Sequence, residues 1–238
     1  MSDDRLIVAL DVPTFDDAKK LVKNLGDDVN FYKVGMEVFY SVGGQIIEWL
    51  KAENKKVFLD LKLCDIPNTV SEGLISLVKK FKLTSDDFLN VHANGGFKMM
   101  KISADRLREE IDNAPKLIAV TILTSIDQAE WKELGHASTI KEDVIRLAKL
   151  TQNAGLDGVV ASPREAEIIR DACGKDFLIV TPGIRPAGSA VNDQSRIATP
   201  AEAIKHGATH LVIGRPIRAA ENPKSAAVEI LKEMNSIE

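Results

Sequence analysis

This sequence of 238 residues has few cysteines, no long apolar runs and no large excess of one charge. The two cysteines, Cys64 and Cys173, are far apart and lack the spacing of metal ligands, so no metal site is expected. No run approaches the roughly 20 apolar residues that a membrane-spanning helix needs, and no basic, apolar leader precedes Arg5. We therefore expect a soluble cytoplasmic protein with reduced thiols and no membrane partner.

The composition is that of a globular protein with nearly balanced charge. A net charge of −4 gives no general preference for nucleic acid, so specificity must come from a local site. With 45% hydrophobic and 28% charged residues the chain can form a sizeable core, which excludes disordered and fibrous classes. No linker rich in Pro, Gly or Ser divides the chain, and we expect one domain over residues 1–238.

Short apolar segments rich in β-branched residues alternate with helical patterns. The predicted strands are residues 6–12, 30–36, 56–63, 88–93, 116–123, 158–162, 177–184 and 210–217. A helical pattern follows each strand, and Thr14 is placed to cap the first helix. Eight such pairs in a chain near the typical ~250 residues predict an α/β fold, a single (β/α)8 barrel. A doubly wound open sheet is the alternative, although no GxGxxG follows the first strand.

The third predicted strand carries charges where a buried strand should be apolar. Asp60 and Lys62 share one face, because side chains alternate along a strand. In a parallel barrel both faces of a strand are covered, so we expect these charges at the mouth, where active sites are built. The first two strands carry similar charges, which predicts one alternating network of Asp11, Lys33, Asp60 and Lys62. His92, beside glycines, is interpreted as a packing residue outside the catalytic set.

A candidate anion site follows the seventh and eighth predicted strands, where this fold commonly binds phosphate. Gly214 leaves backbone N–H groups accessible and Arg215 supplies a cation, while Arg185 follows strand seven. The polar loop of residues 185–198 is long for a strand-to-helix connection, which makes it a candidate lid. Gln194 is placed to reach a ligand from this loop.

The segment DLKLCDIPNT at residues 60–69 resembles the DxKxxDIPxT signature of the orotidine 5′-monophosphate decarboxylase family, in its stand-alone bacterial form. The segments ALDV, FYKVG, VHANGG, LTS, PGIRP and GRPI follow that family's order over essentially the whole chain. The resemblance implies conversion of orotidine 5′-monophosphate to uridine 5′-monophosphate and carbon dioxide in de novo pyrimidine biosynthesis. It also implies that no cofactor or metal takes part and that a homodimer shares its active sites.

The resemblance assigns a role to each matching residue. Lys62 is the expected proton donor, through which the ring carbanion is stabilised and then protonated. The catalytic set that it implies is Lys33, Asp60, Lys62 and Asp65, with Asp65 entering the site of the partner subunit. The substrate contacts that it implies are Asp11 and Lys33 at the ribose, Thr69 near the neighbouring ligand, Thr124 at the pyrimidine, and Arg185, Gln194, Gly214 and Arg215 at the lid and the phosphate.

Two other functions remain open at this point. A metal-dependent phosphosugar lyase or decarboxylase of the same barrel superfamily would share Asp60, Lys62 and Asp65. Such an enzyme normally has an acidic metal ligand on its second strand, where this chain has Lys33. A phosphate-binding barrel without catalysis is the second alternative, but two lysines and two aspartates at the mouth argue against it.

Overall fold

A closed barrel of parallel strands forms the centre of the molecule. The computed structural model describes residues 3–186 and 198–236. In these residues eight strands pair in sequence order, and the last strand pairs with the first. Helices follow the strands and cover the outside of the barrel. The predicted (β/α)8 barrel is confirmed, and the open-sheet alternative is wrong.

The strands are short, as is usual for this fold. Their bounds are β1 Leu6–Ala9, β2 Phe31–Gly35, β3 Lys56–Leu63, β4 Phe88–His92, β5 Lys116–Val120, β6 Gly158–Val160, β7 Leu178–Thr181 and β8 His210–Ile213. The helices are α1 Phe15–Leu25, α2 Met36–Val42, α3 Gln45–Ala52, α4 Pro67–Phe81, α5 Phe97–Glu110, α6 Gln128–Glu133, α7 Ile140–Asn153, α8 Ala166–Cys173, α9 Pro200–Lys205, α10 Arg215–Arg218 and α11 Pro223–Met234. None of the helices described combines the length and apolar character that crossing a bilayer requires.

Local sequence explains where several elements begin and end. The Thr14 hydroxyl accepts a hydrogen bond from the Asp17 N–H and caps α1 as predicted. Gly43, at a φ of 68°, divides the helical pattern after β2 into α2 and α3. Most predicted strands extend too far at their carboxyl ends: β1 ends at Ala9, three residues before the predicted end. These extra residues belong to the loops and to the first turns of the helices at the mouth of the barrel.

Two apolar cores fill the fold, one inside the barrel and one between the strands and helices. Leu59 and Leu89 belong to the outer core. The interior is filled by Ile7, Ala9, Phe31, Phe58, Phe88, Ile118, Val120, Val160, Val180 and Val212. Lys33 lies two residues beyond Phe31, and Asp60 lies two beyond Phe58, so strand alternation turns both charges inward above this apolar filling. The fold therefore brings these charges to the carboxyl end of the barrel.

A histidine at the opposite end gives the fold an expected sensitivity to acid. His210 lies edge-on to the rings of Phe31 and Phe88, and its burial lowers the pKa of the imidazole to about 4, from an ordinary value of 6.5. Between these pH values the His210 imidazole is therefore protonated in the unfolded chain but neutral in the folded chain. We predict that His210 lowers the free energy of unfolding as pH falls from about 6.5 towards 4.

Urea unfolding of the parent protein and of His210→Phe at a series of pH values from 4.5 to 7.5 measures this effect. Phenylalanine removes the titrating group and suits the aromatic surroundings. We expect a flatter pH dependence in the variant, by at most about 1.4 kcal/mol per pH unit, which corresponds to one proton. Equal pH dependence in the two proteins would contradict the assignment.

Candidate active site

Four charged side chains, on β2, on β3 and just after β1, form a continuous row at the mouth of the barrel. The Lys33 ammonium donates to Asp11 Oδ1 at 2.8 Å and lies 3.5 Å from Asp60 Oδ2. The Lys62 ammonium lies 2.7 Å from Asp60 Oδ1. The row thus alternates in sign from Asp11 to Lys62, as the sequence predicts. Each interior charge has a partner of opposite sign, which offsets the cost of removing it from water.

Burial and charge act against each other on the two central groups. Burial alone would lower the pKa of the Lys33 ammonium, but the carboxylates of Asp60 and Asp11 outweigh it and raise that pKa. Burial alone would raise the pKa of the Asp60 carboxyl, but Lys33 and Lys62 hold it below its ordinary value. Both groups therefore stay ionised at neutral pH. The site has charges fixed in position before any ligand arrives, which is the arrangement that electrostatic catalysis requires.

Strand β3 departs from regular pairing at the point where it carries Asp60 and Lys62. Leu59 pairs with Leu89 of β4, but the next partners are Leu63 and Val91, so β3 uses two extra residues between these pairs. Lys62 lies within this bulge at a φ of 53°, in the left-handed region that residues with a side chain rarely adopt. Such outliers are concentrated at functional sites.

Small residues leave room for the charged row. A Cβ atom added at Gly35 would lie 2.5 Å from the Lys33 ammonium and 3.2 Å from Asp11 Oδ1. A Cβ atom at Gly214 would lie 3.6 Å from Asp11 Oδ2. A side chain at Gly35 would therefore displace the Lys33 ammonium from its present position beside Asp11. Gly214 brings the end of β8 close to the same aspartate.

The charged row forms one wall of a cavity of about 190 Å³. Lys33, Asp60 and Lys62 line the polar side. Thr124, which follows β5, lines the cavity as well and is half-buried. The apolar lining consists of Phe58, Val120, Ile122, Leu123, Val160, Ala161, Pro182 and Val212. A small ligand with one polar edge and one apolar edge suits this space.

Two arginines follow β7 and β8 in the chain, but neither is among the residues that line the cavity described above. Arg215 is the first residue of α10 and directly follows Gly214, the N-cap of that helix. Arg185 is buried, with 7% of its surface exposed, and its guanidinium donates to the carbonyl of Ile184 at 2.8 Å. The Arg185 N–H also bonds to the Ala198 carbonyl at 3.0 Å, which joins the two ends of the predicted lid. Gln194 lies outside the described residues.

Comparison with known protein families assigns the chain to one of them. Residues 4–230 match the model of the orotidine 5′-phosphate decarboxylase / HUMPS family. The chain belongs to this family. The resemblance seen in the segment at residues 60–69 is thereby confirmed over nearly the whole sequence.

Individual members of the family are similar in sequence and structure. The orotidine 5′-phosphate decarboxylase of Moorella thermoacetica is 48% identical, over 98% of this chain and 93% of that protein. That of Nitrosococcus oceani is 45% identical over the full length of both chains. The crystal structure of orotidine 5′-phosphate decarboxylase from Lactobacillus acidophilus superimposes with a TM-score of 0.85 at 42% identity, covering 98% of this chain and 100% of that one.

The structure does not bring every residue predicted for this family's site to the cavity. Asp65 and Thr69 lie after β3 on an exposed surface, where the Asp65 carboxylate accepts a hydrogen bond from the Ile66 N–H at 2.6 Å. In the described part of the chain, Asp65 makes no ion pair within 4 Å. The two residues are therefore accessible to a second molecule, and their role in catalysis stays a prediction.

Sequence reasoning missed one residue of the site, Asn90. Its side chain is fully buried on β4 and contacts both Asp60 and Lys62. The signal was present, because Asn90 is two residues beyond Phe88 and shares its inward face. His92 continues that face, and burial together with the charge of Lys62 lowers the pKa of its imidazole. It is a neighbour of the charged row as well as a packing residue.

Proposed function

We propose that this chain, acting as one barrel domain, decarboxylates orotidine 5′-monophosphate to uridine 5′-monophosphate and carbon dioxide in pyrimidine biosynthesis. The observation that carries the proposal is the Lys62 ammonium, 2.7 Å from the Asp60 carboxylate on the wall of an otherwise largely apolar cavity. Membership of a family whose curated relatives bear the name orotidine 5′-phosphate decarboxylase supports it.

The chemistry explains why a fixed cation is needed. Loss of carbon dioxide from the pyrimidine leaves an electron pair in the plane of the ring, where the π system delocalises it poorly. A preorganised positive charge beside that carbon lowers the energy of the carbanion relative to the bound substrate. Lys62 supplies this charge and then transfers a proton to the same carbon. No cofactor is needed for this route, because the protein's own charges replace the electron sink.

Asp60 has two roles in this proposal. Its carboxylate holds the Lys62 ammonium in place, and its negative charge lies near the position of the substrate carboxylate. The repulsion is relieved when neutral carbon dioxide leaves, although we assign it a secondary contribution beside the stabilisation by Lys62. The apolar wall of Val120, Ile122 and Val160 accommodates the departing carbon dioxide.

The rest of the substrate is expected to extend over the mouth of the barrel. We assign Asp11 and Lys33 to the ribose hydroxyls and Thr124 to the pyrimidine. The phosphate is assigned to the end of β8, where a helix begins next to a cationic side chain. The residues proposed for the lid and the phosphate are Arg185, Gln194, Gly214 and Arg215.

We further propose a homodimer in which two subunits share each active site. Asp65 and Thr69 are exposed after β3, next to an exposed apolar residue, Ile66. Met36 and Phe97 are also exposed apolar residues, and each is the first residue of a helix that follows a strand; Tyr40, one turn into the helix that Met36 begins, is exposed as well. Exposed apolar surface of this kind favours association with another protein surface.

Both thiols are free, which fits the cytoplasmic location that we propose for the protein.

Direct turnover tests the proposed function. Mixing the purified protein with orotidine 5′-monophosphate should produce a steady loss of the substrate's pyrimidine absorbance and an equal amount of uridine 5′-monophosphate. Activity should persist in a strong chelator, which would distinguish this function from that of a metal-dependent phosphosugar lyase. Absence of turnover by a protein that still binds the nucleotide would instead favour a non-catalytic phosphate-binding barrel.

Arg215 gives a prediction about the phosphate end. A guanidinium at the start of α10 can form two parallel charge-assisted bonds to phosphate oxygens. We predict that Arg215→Ala lowers kcat/KM for orotidine 5′-monophosphate by roughly 30-fold or more, about 2 kcal/mol, as expected for losing a partner of a desolvated charge. The loss should nearly vanish for orotidine, which lacks the phosphate.

The matched control is Arg218→Ala, which removes the other arginine of the same short helix. We expect it to retain kcat/KM for both substrates within a few-fold. If Arg215→Ala reduced activity on orotidine and on its phosphate by equal factors, Arg215 would support the barrel in general and the phosphate would lie elsewhere.

A further inference from the structure

Asn90 occupies a position that joins the two central catalytic candidates. Its side chain lies on β4, is fully buried and faces the bulge of β3. The Asn90 amide donates from Nδ2 to Asp60 Oδ1 at 2.7 Å. Its carbonyl oxygen accepts from the backbone N–H of Lys62 at 2.8 Å. One amide thus contacts the carboxylate of one residue and the backbone of the other.

The second of these bonds coincides with the irregular backbone. Lys62 has a φ of 53° and lies within the two-residue insertion that interrupts pairing of β3 with β4. Its N–H has left the regular ladder at this point, and a partly buried N–H without a partner would cost free energy. Asn90 supplies the missing acceptor from its side chain. A left-handed residue persists only where the surroundings compensate its strain, and this hydrogen bond is such a compensation.

We infer that Asn90 is a positioning residue for the decarboxylation proposed above: it holds the Lys62 backbone in its left-handed conformation and fixes the Asp60 carboxylate that receives the Lys62 ammonium. An apolar residue at this place would remove both contacts at once. A residue that only filled the space between β3 and β4 would need neither the donor nor the acceptor.

Protonation offers a way to test the two hydrogen bonds without changing the shape of the side chain. The acid form of the carboxyl group in Asn90→Asp has an O–H donor and a carbonyl acceptor, which reproduce both contacts of the amide. Its ionised form loses the donor and puts a second negative charge beside Asp60. The charged and titratable groups around this pair are Lys33 on β2, Lys62 on β3, Asp11 after β1 and His92 on β4.

The kinetic experiment compares Asn90→Ala, Asn90→Asp and the parent enzyme between pH 5.5 and 9. We expect Asn90→Ala to lose roughly 10- to 100-fold in kcat at every pH while its affinity for uridine 5′-monophosphate changes only a few-fold. The ratio of the kcat of Asn90→Asp to that of the parent enzyme should be highest at pH 5.5 and should fall as the pH rises. A ratio of Asn90→Asp to parent that does not change with pH would overturn the inference.

A second measurement on the free protein keeps this test separate from the proposed function. Hydrogen exchange followed by NMR should show a faster-exchanging Lys62 amide in Asn90→Ala, but not in Asn90→Asp, because an oxygen acceptor remains. Asn30→Ala, which removes an asparagine that contacts Lys55 at the other end of the barrel, should leave the Lys62 amide as it is. Unchanged Lys62 exchange in Asn90→Ala would overturn the inference, whether or not orotidine 5′-monophosphate is turned over.

Discussion

Replacing Lys62 by alanine is expected to remove nearly all turnover of orotidine 5′-monophosphate. In the proposed reaction one ammonium both stabilises the carbanion and protonates it, whereas Lys33, the other lysine among the described residues that line the cavity, is held between Asp11 and Asp60. A positioned proton donor is typically worth 10²- to 10⁴-fold and a preorganised charge roughly 10²- to 10³-fold. We therefore expect kcat to fall by at least about 10⁴-fold, or about 5 to 6 kcal/mol.

The same substitution should leave the fold and the affinity for the product largely intact. Asp60 keeps the Asn90 amide at 2.7 Å and the Lys33 ammonium at 3.5 Å, so its carboxylate is not left without partners. Calorimetric titration with uridine 5′-monophosphate and circular dichroism test this directly. Activity within tenfold of the parent enzyme would refute the assignment of Lys62.

Lys56→Ala is the matched control, because Lys56 lies on the same strand but at the opposite end of the barrel. Its ammonium makes ion pairs with Asp4 and Asp86, both at 3.0 Å. Removing it deletes a lysine and its ion pairs without touching the cavity. We expect this variant to keep its kcat, so that a general effect of losing a strand lysine can be separated from the loss of the proton donor.

The positions of Lys33 and Asp60 could be predicted because two simple rules apply to them. Alternation along a strand puts both residues on the face shared with Phe31 and Phe58, and parallel strands bring their carboxyl ends to one rim. Lys33 is opposite Ala9 and Phe58 in the sheet, each two residues before Asp11 and Asp60, and its long side chain reaches both carboxylates. Local pattern was sufficient here because each neighbour in space is also the next strand in sequence.

The conformation of Lys62 could not be predicted in this way. Regular alternation accounts for its face, but the insertion in β3 depends on how that strand pairs with β4, some 30 residues away. Nothing in the letters DLKL indicates a left-handed lysine, since glycine or asparagine usually takes that conformation. Asn90 was overlooked for a related reason. A single asparagine between apolar residues can be recognised as part of a site only when its hydrogen-bond partners are known.

Asp65 shows another limit to prediction from a single chain, because its proposed role depends on a second copy of the chain. Its carboxylate is exposed three residues after Lys62 and bonds only locally, to the Ile66 N–H, among the contacts described. If two barrels face each other across the mouth side, the same loop can reach the site of the other subunit.

Subunit mixing is expected to restore activity from two inactive variants, Lys62→Ala and Asp65→Ala. In a mixed dimer, one site carries both lesions and the other carries neither, because Lys62 acts within its own barrel and Asp65 acts in the other. Free exchange makes half of the dimers mixed, each with one intact site of two, so activity should recover to roughly a quarter of the parental value. Exchange is followed independently by native mass spectrometry of one labelled variant.

A second mixture provides the control and decides between a shared and a separate site. Lys62→Ala mixed with Asp60→Ala should recover no activity. Each substitution damages the site of the barrel that carries it, so neither of the two sites in a mixed dimer is complete. Recovery in the first mixture but not in the second would require Asp65 to act across the interface. No recovery in either mixture, with exchange demonstrated, would place Asp65 in its own barrel or outside the reaction, and the exposed loop after β3 would then need another explanation.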